Sequence, residues 1–208
     1  MSRRTERLTV DHLAVLPGGA DCVFWELDPV RRREVRGHEA EEKASWVSEV
    51  LREWGSCGRV VTVDGVVVGH ALWAPPAYVP GAAGFSTSPV GEDAVVLTET
   101  YVDPAHRGGG LGRLLVQGMA KDLVRAQVRA VEAFGGPVAA DTCTVPTDFL
   151  LAVGFSTARA HPVHPRMRMD LRSTLRDLER NLGRARDRLL APVRPQPQPV
   201  PRQATEPD

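Results

Sequence analysis

Residues 95–115, VVLTETYVDPAHRGGGLGRLL, constrain the fold more than any other stretch of the chain. A β-rich run ends at Asp103-Pro104, three consecutive glycines follow, and an apolar-periodic segment begins at Leu111. Strand, tight loop and helix N-terminus in that order require a sheet with a helix crossing its face. The same junction is built for an anion. The first N–H groups of a helix have no intrahelical acceptor, and the macrodipole adds about half a positive charge there. Glycines at Gly108, Gly109, Gly110 and Gly112 let a phosphate approach the backbone, and Arg107 and Arg113 add cationic side chains beside Leu111.

Two common phosphate-binding patterns fail on specific residues. A P-loop requires Lys-Ser/Thr after its last glycine, whereas Arg113-Leu114 stands here. A dinucleotide loop started from Gly108 requires glycine at the position of Arg113, and an acidic residue about 20 positions on, after a second strand.

The flanking sequence supplies the remaining layers. Arg7–Leu16 alternates weakly and is expected to be a first strand, and Cys22–Leu27 is a short aromatic run. From His38 to Trp54, Ala44, Trp46/Val47, Val50/Leu51 and Trp54 recur at helical spacing, ended by Gly55. Arg59–Val63 and Val66–Leu72 are strands joined by Asp64-Gly65, a hairpin signal. Pro75–Pro89 is too polar and broken for a core element and is expected to be a functional or mobile loop. Ala94–Val102 is a strand, Gly110 to Ala130 a helix, Ala130–Phe134 a strand, Pro146–Val153 a helix capped by Gly154, and Pro165–Leu171 a last strand. Ser173–Leu190 is an Arg-rich helical stretch, and Ala191–Asp208, rich in Pro and Gln, is expected to be disordered. The folded domain is thus residues 1–172, of mixed α/β class.

Composition closes several routes. A formal net charge of zero argues against a nucleic-acid or membrane-surface partner. No stretch is apolar enough for a membrane helix, and the start MSRRTERLTVDH lacks a leader's apolar core, so a cytoplasmic protein is expected. Cys22, Cys57 and Cys143 have no paired spacing, and neither a disulfide framework nor a metal site is expected. Of the 26 cationic residues only Lys43 and Lys121 are lysine, which reads as coding bias toward Arg.

The pattern R-x-x-G-x-G, Arg107 to Gly112, preceded by Tyr101-Val102-Asp103-Pro104 and followed by Gly154-Phe155, resembles the acetyl-CoA motif of the GCN5-related N-acetyltransferase (GNAT) superfamily. The resemblance covers residues 7–172, and the stretch from Cys22 through His164-Pro165-Arg166 is similar to actinobacterial members. It implies a mostly antiparallel central sheet with two splayed parallel strands, Ala94–Val102 and Ala130–Phe134, and helices on both faces. It further implies pyrophosphate bound on backbone N–H groups of Arg107, Gly108, Gly109, Gly110, Leu111 and Gly112 with Arg113 adjacent, and pantetheine paired with the backbone of Tyr101 and Val102. Acetyl-CoA is then the acyl donor, an unidentified primary amine the acceptor, and a homodimer is compatible with the family.

Glu99 is the expected general base, because an acid inside an apolar central strand is costly to bury without a purpose. The alternative is that Glu99 pairs with a cation or faces solvent. His70 is a weaker candidate, and Cys143 is placed near the cofactor but reads as a small buried hydrophobe. Cys22–Glu26 offers aromatic and acidic character suited to a cationic amine, or else Phe24 and Trp25 are simply core. The sequence departs from the family where many members carry a Tyr acid four residues before Gly-Phe: here that position is Leu150. An acetyl-CoA-binding regulatory module without turnover is therefore the alternative reading.

Overall fold

A computed structural model describes residues 2–18, 21–137 and 143–171; the Arg-rich segment 173–190 and the Pro/Gln-rich tail 191–208 lie outside the described residues. Among the described residues eight strands form the sheet: β1 (Arg3–Arg7), β2 (Gly58–Val63), β3 (Val66–Ala74), β4 (Ala94–Val102), β5 (Ala130–Gly136), β6 (Val145–Pro146), β7 (Ser156–Arg159) and β8 (Arg166–Asp170). Their spatial order is β1-β2-β3-β4-β5-β8-β7, with β6 paired to β5 off that path. The β4–β5 and β5–β6 pairs are parallel and the others antiparallel. The helices are α1 (Arg31–Glu34), α2 (Glu39–Trp54), α3 (Leu111–Arg125) and α4 (Thr147–Val153).

Each face of the sheet buries its own core, and the helical periods decide which. Leu111, Leu115, Met119 and Leu123 put one stripe of α3 against Trp73, Leu97, Val131 and Met167. Trp46, Val47 and Val50 of α2 pack on the other face against Val60, Leu72, Val96, Trp25 and Phe134. Asp64 and Gly65 both adopt positive φ, 49° and 86°, as a two-residue turn matched to strand twist demands. Gly154, with φ 108°, ends α4 by donating to the carbonyls of Leu150 and Leu151.

Three expectations are corrected. The first strand is Arg3–Arg7, and the residues expected to extend it wind instead into a 3-10 helix, Val10–Val15. Thr9 stops the ladder: its N–H and hydroxyl both meet His12 Nδ1, at 3.0 and 2.8 Å. β1 itself is a charged edge strand held by backbone pairing to β2, so no apolar alternation marks it. The Pro75–Pro89 segment is not a loose loop. It folds into 3-10 turns at Pro76–Tyr78 and Pro80–Gly84 and buries Val79, Ala82 and Thr87. Its small residues allow this: a Cβ at Gly81 would sit 2.1 Å from the Phe24 carbonyl oxygen. Finally, β7 was not foreseen, because all four of its side chains are exposed.

The α3 face is tied to β2 by a buried ion pair. Arg59 Nε and Nη2 donate to Asp122 at 2.7 and 3.2 Å, and the Asp122 side chain is 3% exposed. Gly118 makes room, since a Cβ there would meet Arg59 Cδ at 2.6 Å. Asp122→Ala strands the Arg59 guanidinium in the packed interface and is expected to cost about 3 kcal/mol, read as a lowered urea midpoint with unchanged m-value.

Candidate functional site

The parallel pair opens almost as soon as it forms. β4 and β5 are in register only from Ala94↔Ala130 to Val96↔Glu132. Immediately beyond, the β3–β4 register slips, with Leu72 opposite Glu99 and Trp73 opposite Leu97, so Thr98 is an extra residue. Its hydroxyl donates to the Leu72 carbonyl at 3.1 Å. Such a bulge bends the strand that carries it, here away from β5.

Asp103 N–H donates to Val68 O at 2.8 Å, which sets the alternation along β4. The backbone groups of Glu99 and Tyr101 turn to β3, and those of Thr100 and Val102 turn to the gap. The backbone groups open to the gap are therefore those of Thr100 and Val102, while the amide of Tyr101 faces β3 and its side chain lines the cavity. The Val102 carbonyl already accepts from Arg107 Nε at 2.8 Å. On the β5 side, β8 holds one edge and β6 pairs with Gly135 and Gly136, so β6 covers the edge that β4 leaves.

At the end of β4, Gly108 and Gly110 take positive φ, 77° and 81°, and a Cβ on either would meet nothing within 4 Å. Open space thus lies before the N-terminus of α3. Gly110 caps that helix without a side-chain acceptor, leaving the first-turn N–H groups of Leu111, Gly112 and Arg113 without intrahelical partners. Gly112 has a packing reason as well: a Cβ there would be 2.8 Å from Phe149 Cε2. The Arg113 guanidinium is occupied, donating to Ala152 O at 2.7 Å. Arg3, from the opposite edge of the sheet, donates to Gly109 O at 2.8 Å and brings to the loop a cation that sequence proximity did not suggest.

At the bulge lies a cavity of about 270 Å³, lined among others by Gly18, His70, Glu99, Tyr101, Cys143 and Thr144, and the guanidinium carbon of Arg107, which opens the glycine loop, sits 5.7 Å from the Tyr101 ring centroid. Thr100 Oγ1, Thr144 Oγ1 and His70 Nδ1 are buried there without a hydrogen-bond partner among the described residues. Buried polar atoms are rarely left so. Together with the unfilled N–H groups of α3, they fit a ligand that brings phosphates at one end and polar chain atoms at the other.

Behind the cavity sits a buried charge network. Lys43, on the inner face of α2, donates to Glu26 Oε1 at 2.6 Å, Glu99 Oε1 at 2.8 Å and Cys22 O at 2.9 Å. The Lys43 and Glu26 side chains are 0% exposed and that of Glu99 is 11% exposed, so Glu99 is the member that reaches the cavity. His70 Nε2 lies 3.3 Å from Glu99 Oε2, and its ring stacks on Tyr101. Burial pushes the Glu99 carboxyl up, but the Lys43 charge and the His70 contact outweigh it and hold Glu99 below its ordinary value. Burial pushes Glu26 up, and Lys43 offsets this only in part. Burial alone would lower Lys43; the charges of Glu99 and Glu26 instead hold it above its ordinary value. Lys43 was missed from the sequence, although its signal was present: a rare lysine one turn before Trp46 and Val47 on the apolar face.

The other candidates separate. Cys143 does line the cavity and lies 3.1 Å, sulfur to sulfur, from Cys22; their shared hydrogen bond pushes the Cys22 thiol up and the Cys143 thiol down. Trp25 is fully buried, as the core reading of that run anticipated, and its Nε1 donates to Cys143 O at 2.7 Å. Glu26 faces Lys43 and does not present a free acid to an amine. Leu150 is fully buried in the α3-side core.

Comparison with known proteins agrees with this geometry. A profile of the Acetyltransferase (GNAT) family matches residues 23–140. No functionally curated protein matches the sequence. Among crystal structures, PaiA N-acetyltransferase from Thermoplasma acidophilum in complex with coenzyme A aligns at TM-score 0.55 and 12% identity, covering 82% of this chain and 99% of its own. YncA from Salmonella typhimurium with its cofactor acetyl-CoA aligns at TM-score 0.54 and 18% identity, covering 82% and 95%. Aminoglycoside acetyltransferase AAC(6')-Ib with coenzyme A and kanamycin aligns at TM-score 0.55 and 16% identity, covering 84% and 98%. At these identities the likeness is one of fold: a mixed α/β sheet, mostly antiparallel, with a parallel β4–β5 pair and helices packed on it.

Lys43→Met leaves two buried carboxylates without their cation and is expected to cost about 3–5 kcal/mol in equilibrium denaturation at pH 7. Lys43→Arg keeps the charge but presents a planar fork to three acceptors arranged around a point, and is expected to recover less than half of that loss.

Proposed function

Given that the chain belongs to the Acetyltransferase (GNAT) family, we propose that it is an N-acetyltransferase that passes the acetyl group of acetyl-CoA directly to a primary amine. The observation that carries this reading is the opening between β4 and β5, with Glu99 on the cavity wall there and the glycine loop following directly at the end of β4. Bound acetyl-CoA supplies an activated acetyl thioester. The first-turn N–H groups of α3 and the open backbone at Gly108 and Gly110 hold its pyrophosphate, aided by the helix dipole. The gap-facing amides of Thr100 and Val102 orient the extended arm, and an N–H in this stretch polarises the thioester carbonyl as its oxygen gains charge. Glu99 takes the proton released as the amine attacks. A cytoplasmic setting suits the chain, because two free thiols 3.1 Å apart stay reduced there.

The electrostatics of Glu99 fix a pH signature. A glutamate ordinarily titrates near about 4.3, and Lys43 and His70 hold Glu99 below its ordinary value. It is therefore ionised throughout the neutral range, and the limb caused by its protonation falls on the acid side of that value. Between about pH 5.5 and 8 the rate should rise with deprotonation of the acceptor amine, with no limb from Glu99.

Leu150 in place of an acid favours one second reading, a module that binds acetyl-CoA without turnover. Thiol release from acetyl-CoA across a panel of primary amines separates the two: tight binding with no release above background supports the module. Glu99→Gln is expected to lower kcat by about a hundredfold while acetyl-CoA affinity changes less than about threefold. Equal turnover by this variant and the parent would remove Glu99 from the mechanism. Gly110→Asp should weaken acetyl-CoA binding by more than about tenfold in calorimetry. Gly110→Asn, which shares its tolerance of positive φ but lacks the charge, should weaken it far less; matching losses would mean backbone strain, not phosphate repulsion, is at work.

A further inference from the structure

Trp25 connects the cavity at Glu99 to a second one. Its indole N–H is bound to Cys143 O, while its face stacks on Phe85 at 5.3 Å. Phe85 lines a separate cavity of about 390 Å³, together with Phe24, Arg32, Gly81, Ser86 and His164. That volume falls within the range of small-molecule sites, and the walls combine aromatic faces with few polar groups.

Arg32 is the unusual member. Its guanidinium carbon lies 4.5 Å from the Phe24 ring centroid, which fixes its plane. Its Nε is buried with no hydrogen-bond partner, and Arg32 enters no ion pair among the described residues. The nearby Arg31, by contrast, has Glu42, and Arg59 has Asp122. A cation half-buried against aromatic rings with a desolvated donor unused is costly unless an anion completes it. None of the residues lining the cavity is a carboxylate that could compete for Arg32, and His164 sets Nδ1 3.1 Å from Gly135 O with its ring edge-on to Phe85. Gly81 lets the floor close tightly on Phe24, and a Cβ at Gly84, on the rim, would meet nothing within 4 Å.

We propose that this cavity binds a small organic carboxylate, its carboxylate on Arg32 and its apolar body against Phe24 and Phe85. One guanidinium balances one charge, in the two-pronged geometry that a carboxylate shares with it. A phosphate would bring a second, unpaired charge into an apolar wall. The site stands independently of the acyl-transfer reading, since none of its lining residues belongs to the glycine loop or touches Glu99.

The test is calorimetric titration of the full chain with phenylacetate, and with phenylacetamide, which has the same shape without the charge. Phenylacetate is expected to bind one site with Kd below about 1 mM, and the amide at least about tenfold more weakly. Arg32→Met, which keeps an apolar contact on Phe24, should lower phenylacetate affinity at least about tenfold and leave acetyl-CoA affinity unchanged. Gly84→Leu, which puts bulk into the open space on the cavity wall, should also reduce phenylacetate binding. Equal binding of acid and amide, undiminished binding by Arg32→Met, or no binding of phenylacetate up to about 10 mM would each overturn the proposal. Acetyl-CoA binding that fails in the parent chain would instead count against the loop assignment alone.

Discussion

The parting of β4 from β5 governs the rest of this structure. Two parallel strands that separate in mid-sheet leave rows of N–H and C=O groups facing each other across a space neither can fill, and backbone groups so placed must find partners. Each edge is treated differently. β5 recovers a neighbour in β6, through Gly135 and Gly136. Among the described residues β4 recovers one bond, from Arg107 to the Val102 carbonyl. The remaining gap-facing groups of Thr100 and Val102 stay available, and the orphaned hydroxyls of Thr100 and Thr144 lie in the same space. The cause is a single extra residue, Thr98, whose bulge turns the strand at the point where pairing ends.

A gap in a sheet is tolerable only if the walls behind it are stiff, and Lys43 supplies that stiffness on the α2 side. An ammonium has three N–H donors, and Lys43 meets three oxygens at hydrogen-bond distance, from the aromatic segment and from β4. This explains a lysine in a chain that otherwise uses arginine almost everywhere. Desolvating three ionisable groups together is expensive, so the arrangement is better understood as setting the geometry and charge of Glu99 than as a source of stability. Glu26 is the balancing acid: fully buried, it shares Lys43 and leaves Glu99 as the carboxylate on the cavity wall.

What could be read from the sequence was what local chemistry dictates. The glycine loop, the Asp64-Gly65 hairpin, the helix over Glu39–Trp54 and the cap at Gly154 all follow from residue-level preferences for φ, period and capping, and the mostly antiparallel sheet with one parallel central pair follows from the family pattern. What stayed hidden depends on register and long-range packing. The bulge at Thr98 has no signature in VVLTETYV, because its extra residue is defined only against β3. Arg3 reaches Gly109 from the far edge strand, and Arg113, adjacent to the loop in sequence, spends its guanidinium on α4. The Pro75–Pro89 segment was misread because abundant small residues, normally a sign of looseness, here permit close packing. Lys43 was visible as a rare residue on an apolar helix face, but composition alone explained it away.

Leu150 shows how far a missing residue should weigh. It is fully buried among apolar side chains, and its carbonyl accepts from Phe155 N–H at 3.0 Å, so this position is committed to holding α4 and β7 against the core. A proton donor there would need a different packing of α4, not a simple exchange of side chains. The cavity offers other O–H and S–H groups, those of Thr100, Thr144 and Cys143. Hydroxyls of this kind are too weakly acidic to surrender a proton, but they stabilise a departing anion by hydrogen bonds. A thiol with an ordinary pKa of about 8.5 leaves as a far more stable anion than an alcohol does, so hydrogen bonding from such a wall is a chemically sufficient substitute for a dedicated acid. For the proposed transfer, Leu150 thus moves the reception of the leaving group from position 150 to these cavity groups.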